Sequence, residues 1–187
     1  EGQPFVSVGR RDDAGGPVPS VGADYPAATA EAVRRAVDLG HRRLAYVGEG
    51  SGPESFADRF RGFVSAGHTR HVPSVNRSPG ELLDALQAEG VTAALVEEYA
   101  DAATLAAAAR ERGLAVPGDL SLLALGDPTR PAPADVDFSG YRIPRREMGR
   151  RATEMLTALI SGELDRADAR ELLPCEQVDG VTLGRGR

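Results

Sequence analysis

The sequence predicts an α/β fold in which parallel strands are covered on both faces by helices. Two observations carry that prediction. Short apolar runs alternate with longer amphipathic stretches along most of the chain, the order expected of repeated strand–helix units. The runs at 92–97 and 119–126 are also apolar almost throughout rather than at every second residue, which is how a strand buried on both faces reads.

Taken in order, residues 4–8 (PFVSV) form a short run of strand type. Within 26–40, Ala28, Ala32, Ala36 and Leu39 recur at helical spacing, and Gly40 ends the pattern. Residues 43–48 are the next strand. The stretch 51–67 carries Ser51 and Glu54 at capping-box spacing, with Phe56, Phe60 and Phe63 predicted along one helix face. A second capping box, Ser78 with Glu81, opens a helix over 78–90 with Pro79 at its first position. Strand 92–97, a helix over 101–113 stopped by Gly113, and strand 119–126 follow. A Pro-rich connector occupies 127–137, and a short strand lies at 138–143. The helix over 144–162 has Met148, Ala152, Met155, Leu156, Leu159 and Ile160 in one stripe. The tail 170–187 is predicted to hold two short strands around a tight turn at Asp179-Gly180.

Composition narrows the function classes. A chain of 187 residues makes one or two compact units. Its net charge of −6 argues against these residues gripping nucleic acid by themselves, because phosphate binding needs a surplus of cations on one face. The single cysteine, Cys175, excludes an internal disulfide, suits a reducing cytoplasm and reads as a small buried hydrophobe. No run of about 18 apolar residues could span a membrane, and the N-terminus lacks the layout of a signal peptide. The chain also starts without Met, just before a strand-like run, and is expected to be cut from something longer. There is no Gly-x-Ser-x-Gly, no phosphate-binding Gly-x-x-x-x-Gly-Lys and no metal quartet, so neither an enzyme nor a cofactor is expected.

The segment LGHRRLAYVG at 39–48 carries a family likeness, and it is followed in order by ESFADRFRGF, by VTAALVEEYADAATLAAAARERGLAVPGDLSLLALGD and by YRIPRREMGRRATEMLTALISGE. With these pieces the chain resembles the effector-binding domain of the LacI/GalR family of bacterial transcriptional repressors, which shares its fold with periplasmic sugar-binding proteins. The resemblance implies a periplasmic-binding-protein-like fold of two Rossmann-like lobes, the first incomplete. Residues 1–40 would be the remainder of the first lobe, 41–137 the second lobe, 138–165 a return to the first, and 166–187 strands joining the second. It further implies DNA contact through an N-terminal helix-turn-helix absent from this chain, and a homodimer. A truncated first lobe would leave a sheet edge or helix faces uncovered, which favours association.

In such a fold the ligand lies between the lobes, at the carboxyl ends of parallel strands. Asp24 stands where the family often places a ligand to a sugar hydroxyl, and it equally suits a helix N-cap ahead of Pro26. Ser55 and Arg59, four residues apart and so on one helix face, match the family's effector-contacting pair, and the planar fork of Arg suits vicinal hydroxyls or a carboxylate. Two positions depart from the sugar-binding pattern. Glu97, Glu98 and Tyr99 replace the usual Asn or Asp, and Gly126 stands at the usual ligand Asp with Asp127 beside it. These changes point to an effector other than a simple sugar, a cationic one included, with a degenerate pocket that binds nothing as the alternative. His68 and His71 read as a surface loop rather than a metal site, and the arginines of 145–151 as a solvated helix face. The function implied is effector sensing and dimerisation in a transcriptional regulator. The alternative is an extracytoplasmic solute-binding protein of the same fold.

Overall fold

The computed structural model describes residues 3–13, 16–128 and 136–187. In chain order its first half holds β1 (Ser7–Val8), β2 (Asp12–Asp13), β3 (Gly16–Pro17), β4 (Ser20–Ala23), α1 (Tyr25–Asp38), β5 (Leu44–Val47), α2 (Glu54–Ser65) and β6 (His71–Val72). Then follow α3 (Pro79–Ala88), β7 (Ala93–Val96), α4 (Tyr99–Glu111), β8 (Ser121–Ala124), β9 (Ser139–Arg142), α5 (Arg145–Ser161), β10 (Arg170–Leu173) and β11 (Glu176–Val178).

The continuous apolar runs become the centre of a six-stranded sheet, ordered β11-β9-β8-β7-β5-β6 and parallel except for β11. Every residue of β5, β7 and β8 is buried. Successive side chains leave a strand on opposite faces, and the core divides accordingly. Ala45, Val47, Ala94, Val96 and Leu122 meet α3 and α4 through Leu83, Leu86 and Leu105. Leu44, Tyr46, Leu95 and Leu123 meet Ala32, Val33 and Ala36 of α1 and Phe63 of α2. Burying each of the larger side chains contributes about 1.5–3 kcal/mol. A second, smaller sheet orders β1-β4-β10, all parallel. Helix α5 covers one of its faces, where Met148 and Ala152 meet Val21, Ala23 and Leu173.

The lobe boundaries differ from those expected. Helix α1, assigned with 1–40 to the first lobe, buries its apolar face on the six-stranded sheet and against α2. Strand β9, assigned with 138–165 to the first lobe, pairs with β8. The segment 166–187 is divided, β10 joining the small sheet and β11 the large one. The chain therefore passes between sheets around Asp24, around Ile143-Pro144 and around Pro174-Cys175. The Gly-His-Arg-Arg turn lies wholly within the larger lobe. Its His41 is buried, with Nδ1 2.9 Å from the Thr92 hydroxyl and Nε2 3.0 Å from the Gly184 carbonyl, so the imidazole ties α1 and β5 to the tail.

Several local expectations also change. The capping box at Ser78 forms, with the Glu81 carboxylate accepting the Ser78 N–H at 2.7 Å. The one at Ser51 does not, because α2 begins only after Pro53, and the Glu54 carboxylate instead accepts the Asp12 N–H at 3.1 Å. The run at 4–8 yields only the two residues of β1, since Phe5 and Val8 are exposed. The tail makes no hairpin at Asp179-Gly180. Thr182 is drawn to β8 instead, accepting from Leu122 N–H at 2.9 Å through its carbonyl and donating to the Leu122 carbonyl through its hydroxyl. Strand β4, with Ser20 and Gly22 among its four residues, had too little apolar signal to be anticipated. The proline-rich connector lies mostly at 129–135, outside the described residues.

Candidate functional site

A cavity of about 490 Å³ opens where β5, β7 and β8 end. Arg59 and Phe56 from α2, Glu98 and Tyr99 from the start of α4, and Gly126 and Asp127 after β8 line one side. Tyr25 and Ile143, which also join the core of the small sheet, line the other. The cavity therefore lies between the two sheets, at the carboxyl ends of parallel strands, where this architecture places its ligands.

Arg59 dominates the floor. Its residue is 5% exposed, its Nε donates to the Leu125 carbonyl at 2.9 Å and one Nη donates to the Ser55 carbonyl at 3.2 Å. The guanidinium lies 4.2 Å from the centroid of the Tyr25 ring, a cation–π contact. Burial works against its charge, while Tyr141, Tyr25, Tyr46 and Glu98 favour it, and the net pKa shift is upward, so Arg59 stays cationic.

The two glutamates at the end of β7 have different tasks. Glu97 is buried and accepts from the Tyr46 hydroxyl, from Gly50 N–H at 2.8 Å and from Glu49 N–H at 3.3 Å. It anchors the turn that follows β5 and positions the start of α2. Glu98 stands at the exposed rim, where partial desolvation of its carboxyl on the cavity side pushes its pKa up, an effect the nearby Arg59 only partly offsets. Asp127 accepts the Ile143 N–H at 2.9 Å and pairs with Arg145 at 2.7 Å, which ties the end of β8 to the start of α5 across the cavity mouth. Gly126, at φ +146°, lets the backbone turn there. A Cβ in its place would stand 3.2 Å from Ile143 and 3.7 Å from an Nη of Arg59, so the glycine keeps the guanidinium open to the cavity.

Of the six residues expected to touch a ligand, Ser55, Arg59, Glu98, Tyr99 and Asp127 line the cavity together. Asp24 does not. Its carboxylate accepts the Ala27 N–H at 3.1 Å and caps α1 at the first passage between sheets. Tyr25, Ile143 and Arg145 were missed. Tyr25 is adjacent to Asp24, and Arg145 was read with its neighbours as solvated. That reading suits Arg150, half-exposed and paired with Glu147 and Glu154, whereas Arg145 reaches the cavity. The phenylalanine stripe also divides, with Phe60 and Phe63 against Tyr46 and Phe56 on the cavity wall. His71 lies in β6 with its ring against Phe60 and Nε2 2.7 Å from the Gly48 carbonyl. Cys175 is half-buried between the two cores, and burial pushes its thiol up to about 11.

A larger groove of about 690 Å³ runs along α4, lined by Ala106, Ala107, Leu114, Val116 and Val181. Its polar side chains are Thr104, Arg110 and Thr182, with no carboxylate, whereas the inter-sheet cavity brings a buried guanidinium together with carboxylates and is the better ligand site. Among the described residues no group of three or more His, Cys, Asp or Glu could hold a metal, and no helix is long and apolar enough to cross a membrane.

A cavity between two parallel sheets, floored by a buried arginine and rimmed by carboxylates, defines a two-lobed binding protein. Residues 33–183 match the periplasmic binding protein-like domain family, and the chain belongs to it. A LacI-family regulatory protein from Chloroflexus aggregans superposes with a TM-score of 0.77 at 25% identity, over 98% of this chain and 69% of that one. A LacI-family regulator from Enterococcus faecium with bound ribose has a TM-score of 0.78 at 18% identity, over 98% of this chain and 72% of that one. The arabinose metabolism transcriptional repressor of Geobacillus stearothermophilus is 29% identical over 140 residues, which cover 66% of this chain and 38% of that protein. The matched region thus spans well under half the length of that curated relative.

Proposed function

We propose that these residues form the effector-sensing and dimerisation domain of a LacI/GalR-type bacterial transcriptional regulator. A small polar molecule bound between the lobes would control DNA binding by a helix-turn-helix domain outside the 187 residues. The observation that carries this reading is the convergence of Ser55, Arg59, Glu98, Tyr99 and Asp127 on one cavity between the sheets. A ligand bridging both sides favours the closed arrangement of the lobes by its differential affinity, and the passages near Asp24, Ile143 and Pro174 are where the backbone would hinge. The protein acts as a homodimer in the cytoplasm and turns over no substrate. The names of two relatives, a repressor of arabinose metabolism and a regulator holding ribose, make pentoses the first compounds to try.

The test is a thermal-shift screen of pentoses, other sugars, sugar phosphates, amino acids and polyamines. A ligand present at about 100 times its Kd stabilises by roughly 2.7 kcal/mol. A shift that Arg59→Ala or Glu98→Ala abolishes supports the reading. A well-folded protein that none of these classes stabilises overturns it.

A further inference from the structure

We infer that Arg10 and Asp58 form a latch that holds the two lobes together across the inter-sheet cavity, whether or not a ligand is bound. Helix α2 carries two adjacent rows of side chains. Ser55 and Arg59, four residues apart, line the cavity. Glu54 and Asp58, each one residue earlier, are bonded instead to the loop that leaves β1 of the small lobe. Arg10 donates from Nε to one Asp58 oxygen at 2.8 Å and from an Nη to the other at 3.0 Å, and the Glu54 carboxylate accepts the Asp12 N–H at 3.1 Å. Residues four apart lie on one helix face, so the helix that lines the cavity with one row is tied to the opposite lobe by the next.

Both ends of the latch are held in place. Gly9 N–H donates to the Val21 carbonyl at 2.8 Å, which fixes the end of β1, and Arg10 then passes over Gly22, where a Cβ would stand 3.0 Å from the Arg10 nitrogen. Asp12 pairs with the same guanidinium from its own loop. On the large lobe Asp58 is 2% exposed, and its other ion-pair partner among the described residues is the exposed Arg61 of its own helix. A bidentate Arg–carboxylate pair is strong and geometrically specific, and burial of the carboxylate limits screening by salt. β1 is an edge strand with no chain passage of its own into the large lobe. The passages near Asp24, Ile143 and Pro174 can turn as the lobes part, whereas the Arg10–Asp58 pair has to break. Arg10 and Asp58 also line a cavity of about 320 Å³ together with Tyr25, Ser55, Ile143 and Arg145, four residues shared with the inter-sheet cavity, so breaking the pair opens that flank of the site. Every contact in the latch joins protein groups, so an effector that bridges the lobes meets a population already competent to bind it.

The experiment measures lobe separation in the full chain with no ligand added. Nitroxide labels at Gln87→Cys on α3 and Thr157→Cys on α5, both exposed positions, report the distance between lobes by pulsed electron resonance in a Cys175→Ala background. With the latch intact one narrow distance distribution is expected. Arg10→Gln is expected to add a longer component and raise the ratio of open to closed molecules about tenfold or more, and Asp58→Asn to do the same. The double variant is expected to open no further than either single one, because both remove the same contact. A distribution that Arg10→Gln leaves unchanged, an intact protein already spread over both distances, or single effects that add in the double variant overturns the inference. If Asp58→Asn does not fold, Arg10→Lys takes its place and is expected to fall between the intact protein and Arg10→Gln, since the charge remains while the fork is lost. A lysine variant as open as Arg10→Gln overturns the inference. No ligand enters these measurements, so failure of the thermal-shift screen removes the effector reading and leaves the latch to be decided here.

Discussion

The two lobes use the same parallel-strand unit with different results. The six-stranded sheet has helices on both faces, and β5, β7 and β8 are buried at every residue. The three-stranded sheet rests on one helix, and its surroundings leave Phe5, Val8, Leu172 and Ile160 exposed, the last at 67%. Two-sided cover is what lets a short strand be wholly apolar. Where cover is one-sided, attachment to the neighbouring lobe has to contribute. The small lobe has such an attachment: Arg10, just past β1, makes a bidentate pair with Asp58 of α2 at 2.8 and 3.0 Å, and Asp58 is only 2% exposed.

Substitutions can break or sharpen this contrast, and the largest effect is expected where the big sheet is tightest. A Cβ on Gly140 would stand inside the Ala124 carbonyl across the β8–β9 pairing, at a positive φ as well. Gly140→Ala should therefore destabilise by at least about 3 kcal/mol, read as a collapse of the thermal midpoint. In the two cores, Leu95→Ala should lose about 2–5 kcal/mol in urea unfolding, and Val21→Ala in the small lobe about 2 kcal/mol. Equal losses would mean that the small lobe is as well packed as the large one. Cutting the attachment with Arg10→Ala leaves Asp58 to the exposed Arg61 and should cost about 1–3 kcal/mol. Hydrogen exchange should then quicken in β1, β4 and β10 before it does in β7 and β8.

A pH test separates the lobes more gently. Burial holds the pKa of His41 below its ordinary 6.5. The unfolded chain therefore binds the proton more readily than the folded one, and stability falls as pH drops below 6.5. His41→Asn should flatten that slope in urea titrations of the larger lobe. The smallest effect belongs to Ile160→Gln on the exposed end of α5, expected within about 0.5 kcal/mol. A larger loss would show that this face is covered in solution.

Most of the large lobe was legible because its signals are local. Ser78-Pro79 with Glu81 opens a helix wherever it stands, and an all-apolar run such as Ala93–Val96 is stable only between two layers. The failures share a cause. Ser51 and Glu54 have capping spacing, but Pro53 moves the helix start, and Glu54 finds the amide of Asp12, forty-two residues away. Phe56 continues the stripe of Phe60 and Phe63 in spacing, yet the cavity lies at that end of α2. Arg145 resembles the arginines after it until Asp127 is brought beside it.

By itself the sequence determined the alternation of strand and helix, the family likeness, and the pairing of Ser55 and Arg59 on one helix face, because each depends on spacing within a few residues. Only the tertiary structure decided which lobe α1 and β9 belong to, that Asp24 caps a helix, and that Arg59 is buried at the floor of the cavity between the sheets. These depend on which distant surfaces meet, and burial, charge compensation and lobe membership are properties of that meeting rather than of any stretch of chain.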